Sequence, residues 1–103
     1  MNSQFKRGII ELCVLKVVSQ QDRSSFEVIE ILGASIDVNE NTIYPILRRL
    51  TKQQYFETYT KSSTVGAPRK FYKITELGQE QLSKFQTEWK QFLDNVLKIL
   101  GGE

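Results

Sequence analysis

Between Asn41 and Lys52 the chain sets an amide, a hydroxyl, a phenol, two guanidiniums and an ammonium within twelve residues, carried by Asn41, Thr42, Tyr44, Arg48, Arg49 and Lys52. At about 100° per residue, Asn41, Pro45, Arg48 and Lys52 fall on one side of a helix, flanked by Thr42, Tyr44 and Arg49. Ile43, Ile46, Leu47 and Leu50 fill an arc of about 100° opposite. Such an outward face suits base edges and phosphates: a guanidinium fork fits guanine, a carboxamide fits adenine, and any of the cations can meet a phosphate. The plainer alternative is a solvated face on an ordinary core helix.

Pro45 sits inside this segment and has no backbone N–H to donate. If Asn41 caps the helix, Pro45 is the fourth helical residue and removes only the first intrahelical bond; if Asn39 caps it, the loss lies one bond deeper. Either way the damage stays within the first two turns, on the side away from the apolar arc.

Other chemistries find little support. The 103 residues contain no histidine, so the commonest general base and metal ligand are both missing. The one cysteine, Cys13, lies between Leu12 and Val14 and reads as a core thiol. No nucleophile stands with a base, no acidic or sulfur cluster has metal-ligand spacing, and no glycine loop is set to cradle a phosphate. Neither an enzyme, a metal nor a cofactor is expected. No run approaches the roughly 20 apolar residues that span a bilayer, and the start MNSQFKRG lacks the apolar stretch of a secretory signal. The chain is expected in the cytosol with no membrane partner.

The net charge of +2 conceals a strong asymmetry. Residues 1–47 and residues 74–103 each balance at −2, whereas residues 48–73 carry Arg48, Arg49, Lys52, Lys61, Arg69, Lys70 and Lys73 against Glu57 alone, a balance of +6. Clustered cations of this kind mark a surface that meets phosphate.

The elements that must position these side chains follow from periodicity and caps. Residues 4–19 read as a helix that is apolar all round, with Ile9, Ile10, Leu12, Cys13, Val14, Leu15, Val17 and Val18 circling the axis; a strand over LCVLKVV is the second reading. Such a helix must be covered on more than one side, which points to a partner surface as well as the core. Ser24 to Glu27 form a capping box that opens a short helix ending near Gly33, and the 39–50 segment follows after ASIDV and continues to about Gln53. From Tyr55 the period becomes two, SSTVGAP interrupts it, and RKFYKI resumes it, which describes a β-hairpin with Lys61, Arg69 and Lys70 near its tip. Thr75 caps a last helix from about Glu76 to Leu100, roughly 37 Å long, ended by Gly101 and Gly102.

That last helix carries Leu82, Phe85, Trp89, Phe92, Val96 and Ile99 at alternating steps of three and four, a heptad seam that seeks another helix, with Leu93, Leu97 and Leu100 in an adjoining stripe. One stripe can pack on the chain itself and leave the other for a second copy.

The order of elements describes a mainly α chain with a small β-hairpin, an α+β fold of the winged helix-turn-helix type followed by a long C-terminal helix. The winged unit is expected over residues 1–74 and the dimerisation helix over 75–103, packed with it as one domain. The hairpin would be the wing, although a purely structural hairpin is the alternative.

Two segments then resemble a known family. TIYPILRRL at 42–50 and APRKFYKITELG at 67–78 are similar to the signature segments of PadR-like transcriptional regulators, as is RGIIELCVLKVVSQ at the start, so that the similarity covers nearly the whole chain. The resemblance implies a bacterial winged-helix repressor acting as a homodimer on double-stranded operator DNA. It places Thr42, Tyr44, Pro45, Arg48 and Arg49 at the family's recognition-helix positions, and Arg69 and Lys70 at its wing positions. With Asn41, Lys52 and Lys61 they make up the expected DNA surface. The last helix crossing the partner's first helix would bring Ile9, Leu82, Phe85, Trp89, Phe92, Leu93 and Val96 to the dimer interface. Family members often release DNA on binding small phenolic or planar hydrophobic compounds, and Phe5, Ile9, Phe85, Trp89 and Phe92 could line such a site; the plainer reading is that Trp89 simply fills the dimer core. Asn41 stands where a small residue is common and Ser25-Phe26 where glycine-tyrosine is usual. A winged helix that binds protein, and a ligand sensor that meets DNA weakly, are the competing readings.

Overall fold

The computed structural model describes residues 3–62 and 65–101, with side chains described from Arg7 onward. The elements run α1 (Ser3–Gln20), β1 (Arg23–Ser24), α2 (Ser25–Gly33), α3 (Glu40–Lys52), β2 (Phe56–Lys61), β3 (Arg69–Ile74) and α4 (Glu76–Ile99). LCVLKVV lies wholly within α1, which excludes the strand reading. Three β-branched valines cost the helix some intrinsic propensity, but Val14, Val17 and Val18 are all buried, and tertiary packing decides. Within the chain α1 packs on α2, α3, β3 and α4, leaving Ile9, Leu12 and Cys13 half-exposed. Partial burial pushes the Cys13 thiol pKa up, so the thiolate is disfavoured there.

The core is built from Val14, Leu15 and Val18 of α1, Val28 of α2, the Ile43, Leu47 and Leu50 face of α3, and Phe56 of β2. The loop between α2 and α3 contributes Ile36 and Val38, packed half-buried against this cluster.

Ser24 does two jobs. Its extended backbone pairs with Phe71 of β3, while its hydroxyl accepts from Glu27 N at 3.2 Å and its own N–H donates to Glu27 Oε1 at 3.0 Å, closing the capping box. The sheet is therefore three-stranded, all antiparallel, in the order β1-β3-β2. The sequence pattern shows only the hairpin, because a two-residue strand has no period. β2 and β3 pair in register from Phe56 opposite Ile74 to Lys61 opposite Arg69.

Asn39 is the cap of α3: its side chain accepts from Asn41 N at 2.9 Å, and Ile43 N donates to Asn39 O at 3.1 Å. Pro45 is thus the sixth helical residue, and the missing bond is the one to Asn41 O, the third of the helix and a bond deeper than the sequence count for this cap gave. The difference follows from the helix starting two residues earlier than in the Asn41 register. At the other end Tyr55 N donates to Leu50 O and Gln54 N to Thr51 O, both at 2.9 Å, with Gln54 at φ 68° in the left-handed region. This is a Schellman ending, and it delays β2 to Phe56 rather than Tyr55.

Thr75 caps α4, its hydroxyl accepting from Gly78 N at 3.0 Å and donating to Gln54 O at 2.7 Å, so the cap is bolted to the end of α3. Leu82 is buried, but beyond Phe85 most apolar side chains of α4 lack a cover from their own chain: Leu97 is 54% and Ile99 84% exposed. Among the described residues no helix is long and apolar enough to cross a membrane.

Candidate nucleic-acid interface

The amphipathic arc of α3 is realised side chain by side chain. Ile43, Ile46, Leu47 and Leu50 are buried; Asn41, Tyr44, Pro45, Arg48 and Lys52 are exposed, and Thr42 is half-buried. Burying four apolar side chains on one face is what holds the polar face outward, since turning the helix would exchange them for a guanidinium and an ammonium. Arg49 departs from the expected flank position. It turns toward α1, where its Nη2 pairs with Glu11 Oε1. Burial chiefly, and then the charge of Arg7, pull the Arg49 pKa downward.

The wing cations are held by aromatic rings. Lys61 Nζ lies 5.6 Å from the centroid of Phe71, Lys70 Nζ 5.6 Å from that of Tyr72, and Arg69 Cζ 5.9 Å from that of Phe26 on α2. Tyr59 stacks on Phe71 across the strands at 5.8 Å and 14°, and its hydroxyl donates to Asp22 Oδ2 at 2.6 Å. That bond first, then burial and the charge of Asp22, raise the Tyr59 pKa. Sequence reasoning passed over Phe26, Phe71, Tyr59 and Asp22 as parts of this surface. Their partners lie across a register that the period alone does not set.

Tyr72 joins the two elements. Its ring carries Lys70 on the wing side, and the buried side chain is also under the electrostatic influence of Tyr44 and Arg48 of α3. Burial most, then Tyr44, raise its pKa against a lowering by Arg48. Lys70 of the wing thus lies over the ring of Tyr72, and the charge of Arg48 on α3 acts on the same side chain.

The second expected site is partly assembled. Phe85, Trp89 and Phe92 line an open hollow of about 310 Å³ with Glu88, and Trp89 meets Phe92 edge to face at 5.7 Å. Gly8 of α1 lets the indole come close, for a Cβ there would stand 3.3 Å from Trp89 Cζ2. Ile9 is half-exposed on α1 without lining this hollow, and the side chain of Phe5 lies outside the described residues. Leu93 is exposed and Val96 half-buried farther along α4. Among the described residues no group of acids and cysteine could hold a metal ion.

Residues 14–84 match the transcriptional regulator PadR-like family. The chain is 35% identical to a PadR-like transcriptional regulator from Bacillus cereus strain ATCC 14579, whose solved structure superposes with a TM-score of 0.84 over 98% of this chain and 100% of the other. A PadR family transcriptional regulator from Eggerthella lenta DSM 2243 superposes with a TM-score of 0.83 at 26% identity, covering 94% and 86% of the two chains. An uncharacterized protein of Lysinibacillus sphaericus is 30% identical over 99% of this chain and 97% of its own length.

Proposed function

Because the chain belongs to the PadR-like family and is a DNA-binding transcriptional regulator rather than an enzyme, we propose that it acts as a homodimeric repressor with α3 in the major groove. The observation that carries this reading is the exposed polar face of α3, with Asn41, Tyr44, Pro45, Arg48 and Lys52 outward, next in the chain to a wing whose cations Lys61, Arg69 and Lys70 lie over aromatic rings. Asn41, Thr42, Tyr44, Pro45 and Arg48 face the bases and adjacent backbone; Lys52, Lys61, Arg69 and Lys70 hold phosphates on either side. Two copies address half-sites about one helical turn, roughly 34 Å, apart. The exposed C-terminal half of α4 supports dimerisation, since a soluble chain rarely leaves such a stripe uncovered. Phe85, Trp89, Phe92, Leu93 and Val96, with Ile9 of α1, form that interface, whereas Leu82, expected there from the heptad spacing, is taken up by the chain's own core.

The hollow beside Trp89 supports a small planar hydrophobic or phenolic effector that enters between the subunits and weakens operator binding. A protein-binding wing is disfavoured by the +6 balance of residues 48–73. A mobility-shift titration on the DNA upstream of its own gene tests the reading: a salt-sensitive shift is expected, and unchanged affinity in Arg48→Ala combined with Arg69→Ala overturns the assignment of the surface.

A further inference from the structure

Two adjacent arginines on α3 meet different surroundings. Arg48 is exposed, and among the described residues no acid pairs with it. The Arg49 side chain is 28% accessible and its partner Glu11 19%, so the pair is shielded from water by α1 and α3. The groove around Arg49 runs between Arg7 and Ile10 of α1 and Asn41, Thr42 and Pro45 of α3, so Arg49 sits at the edge of the outward face, where its pairing with Glu11 turns it toward α1. Arg7 Nε stands 4.0 Å from the same carboxylate, at the limit of an ion pair, and its side chain is mostly exposed.

We propose that Glu11 is a positioning residue that holds Arg49 against α1 and away from the duplex, so that Arg48 is the guanidinium the recognition helix offers to DNA. This rests on the reading that α3 faces the duplex. A phosphate could recruit Arg49 only by displacing Glu11, leaving a half-buried carboxylate close to the DNA's own negative charge with the mostly exposed Arg7, at 4.0 Å, as its remaining counterion. The shielded pair is screened less by salt than an exposed one, so it persists under conditions in which phosphate contacts weaken. Glu11 therefore sets how many cations α3 presents, and with it how much of the affinity is independent of sequence.

The test measures binding by fluorescence anisotropy as a function of salt, on a duplex from upstream of the chain's own gene and on a mixed-sequence duplex of equal length. Glu11→Gln keeps the size of the side chain and removes its charge. The released Arg49 is expected to tighten binding to both duplexes and to steepen the slope of log affinity against log salt by about 0.9, the value of one added phosphate contact. Arg49→Ala alone leaves the wild-type slope unchanged, and the double variant Glu11→Gln with Arg49→Ala returns to it. A change of fold stability does not produce this pattern. The inference is overturned by an unchanged slope in Glu11→Gln, by a steepened slope that survives in the double variant, or by a shallower slope in Arg49→Ala. Failure of the wild type to bind either duplex overturns instead the reading on which the inference rests.

Discussion

The carbonyl oxygen of Tyr55 stands where a side chain on Gly78 would begin: a Cβ there would overlap that oxygen and lie 2.6 Å from Ile74 Cγ1. The same oxygen accepts from Thr75 N at 2.9 Å, so the first turn of α4 is pressed onto the end of α3 and the base of the wing. In an exposed helix, alanine for glycine stabilises by up to about 1 kcal/mol. Here the sign reverses: Gly78→Ala is expected to destabilise by about 1–3 kcal/mol through overpacking, seen as a lower urea midpoint at unchanged slope.

Gln54 carries the opposite expectation. A glutamine at φ 68° holds the left-handed position of the α3 ending, where its Cβ is a liability. Gln54→Gly keeps both Schellman bonds and removes that strain, less the entropy that glycine regains when unfolded, for a net gain of about 1 kcal/mol or a little under. A lowered thermal midpoint would count against the strained ending.

These two positions show where the sequence is readable. The arc of α3, the capping box at Ser24 and the cap at Thr75 are local, set by residues within a few positions of each other, and the periodicity and cap rules reach them. Gln54 carries no glycine or asparagine signal, and β1 is too short for a pattern. Glu11 and Arg49 lie on helices far apart in sequence, so their pairing depends on how α1 and α3 cross. The ring beneath each wing cation depends likewise on strand register and on the placing of α2. The charges of the surface were legible, and their supports were not.

The contact between Arg69 and Phe26 separates charge from positioning. Phe26 is exposed and contributes little to the core, yet its ring holds the guanidinium in place. A cation–π contact at an exposed site is worth about 0.5–1 kcal/mol, so Phe26→Ala is expected to weaken operator binding about twofold to fivefold. The salt slope should stay the same because no charge is lost, whereas Arg69→Ala should reduce it by about 0.9. An equal slope change in both variants would show that Phe26 does not act through Arg69.

The bond from Tyr59 to Asp22 makes a pH expectation. The neutral phenol is the donor, so folding raises the Tyr59 pKa above its ordinary value of about 10. A raised folded pKa gives stability that is fully present below the unfolded value and lost as pH rises through the folded one. In a tyrosinate absorbance titration Tyr59 and the buried Tyr72 should ionise late, and Tyr59→Phe should remove amplitude from the late phase. Asp22→Asn, which keeps an acceptor but removes the charge, should bring Tyr59 back toward the ordinary range. Amplitude lost from the early phase instead would mean that the bond is absent in solution.

Dimerisation turns on the uncovered half of α4. Leu93 and Leu97 lie one turn apart and are both exposed, in a stripe that the chain's own elements do not reach. Aspartates at both positions cost the single chain little, since neither side chain is buried in it, but they would set unpaired charges inside a helix–helix interface. The double variant Leu93→Asp, Leu97→Asp is expected to sediment at the mass of one chain with its helical content retained, and to lose operator affinity by orders of magnitude, because half-sites bound independently forgo the effective concentration that linkage provides. A variant that still sediments as a dimer would move the interface off this stripe. A monomer that binds the operator as tightly as the wild type would show that one copy suffices.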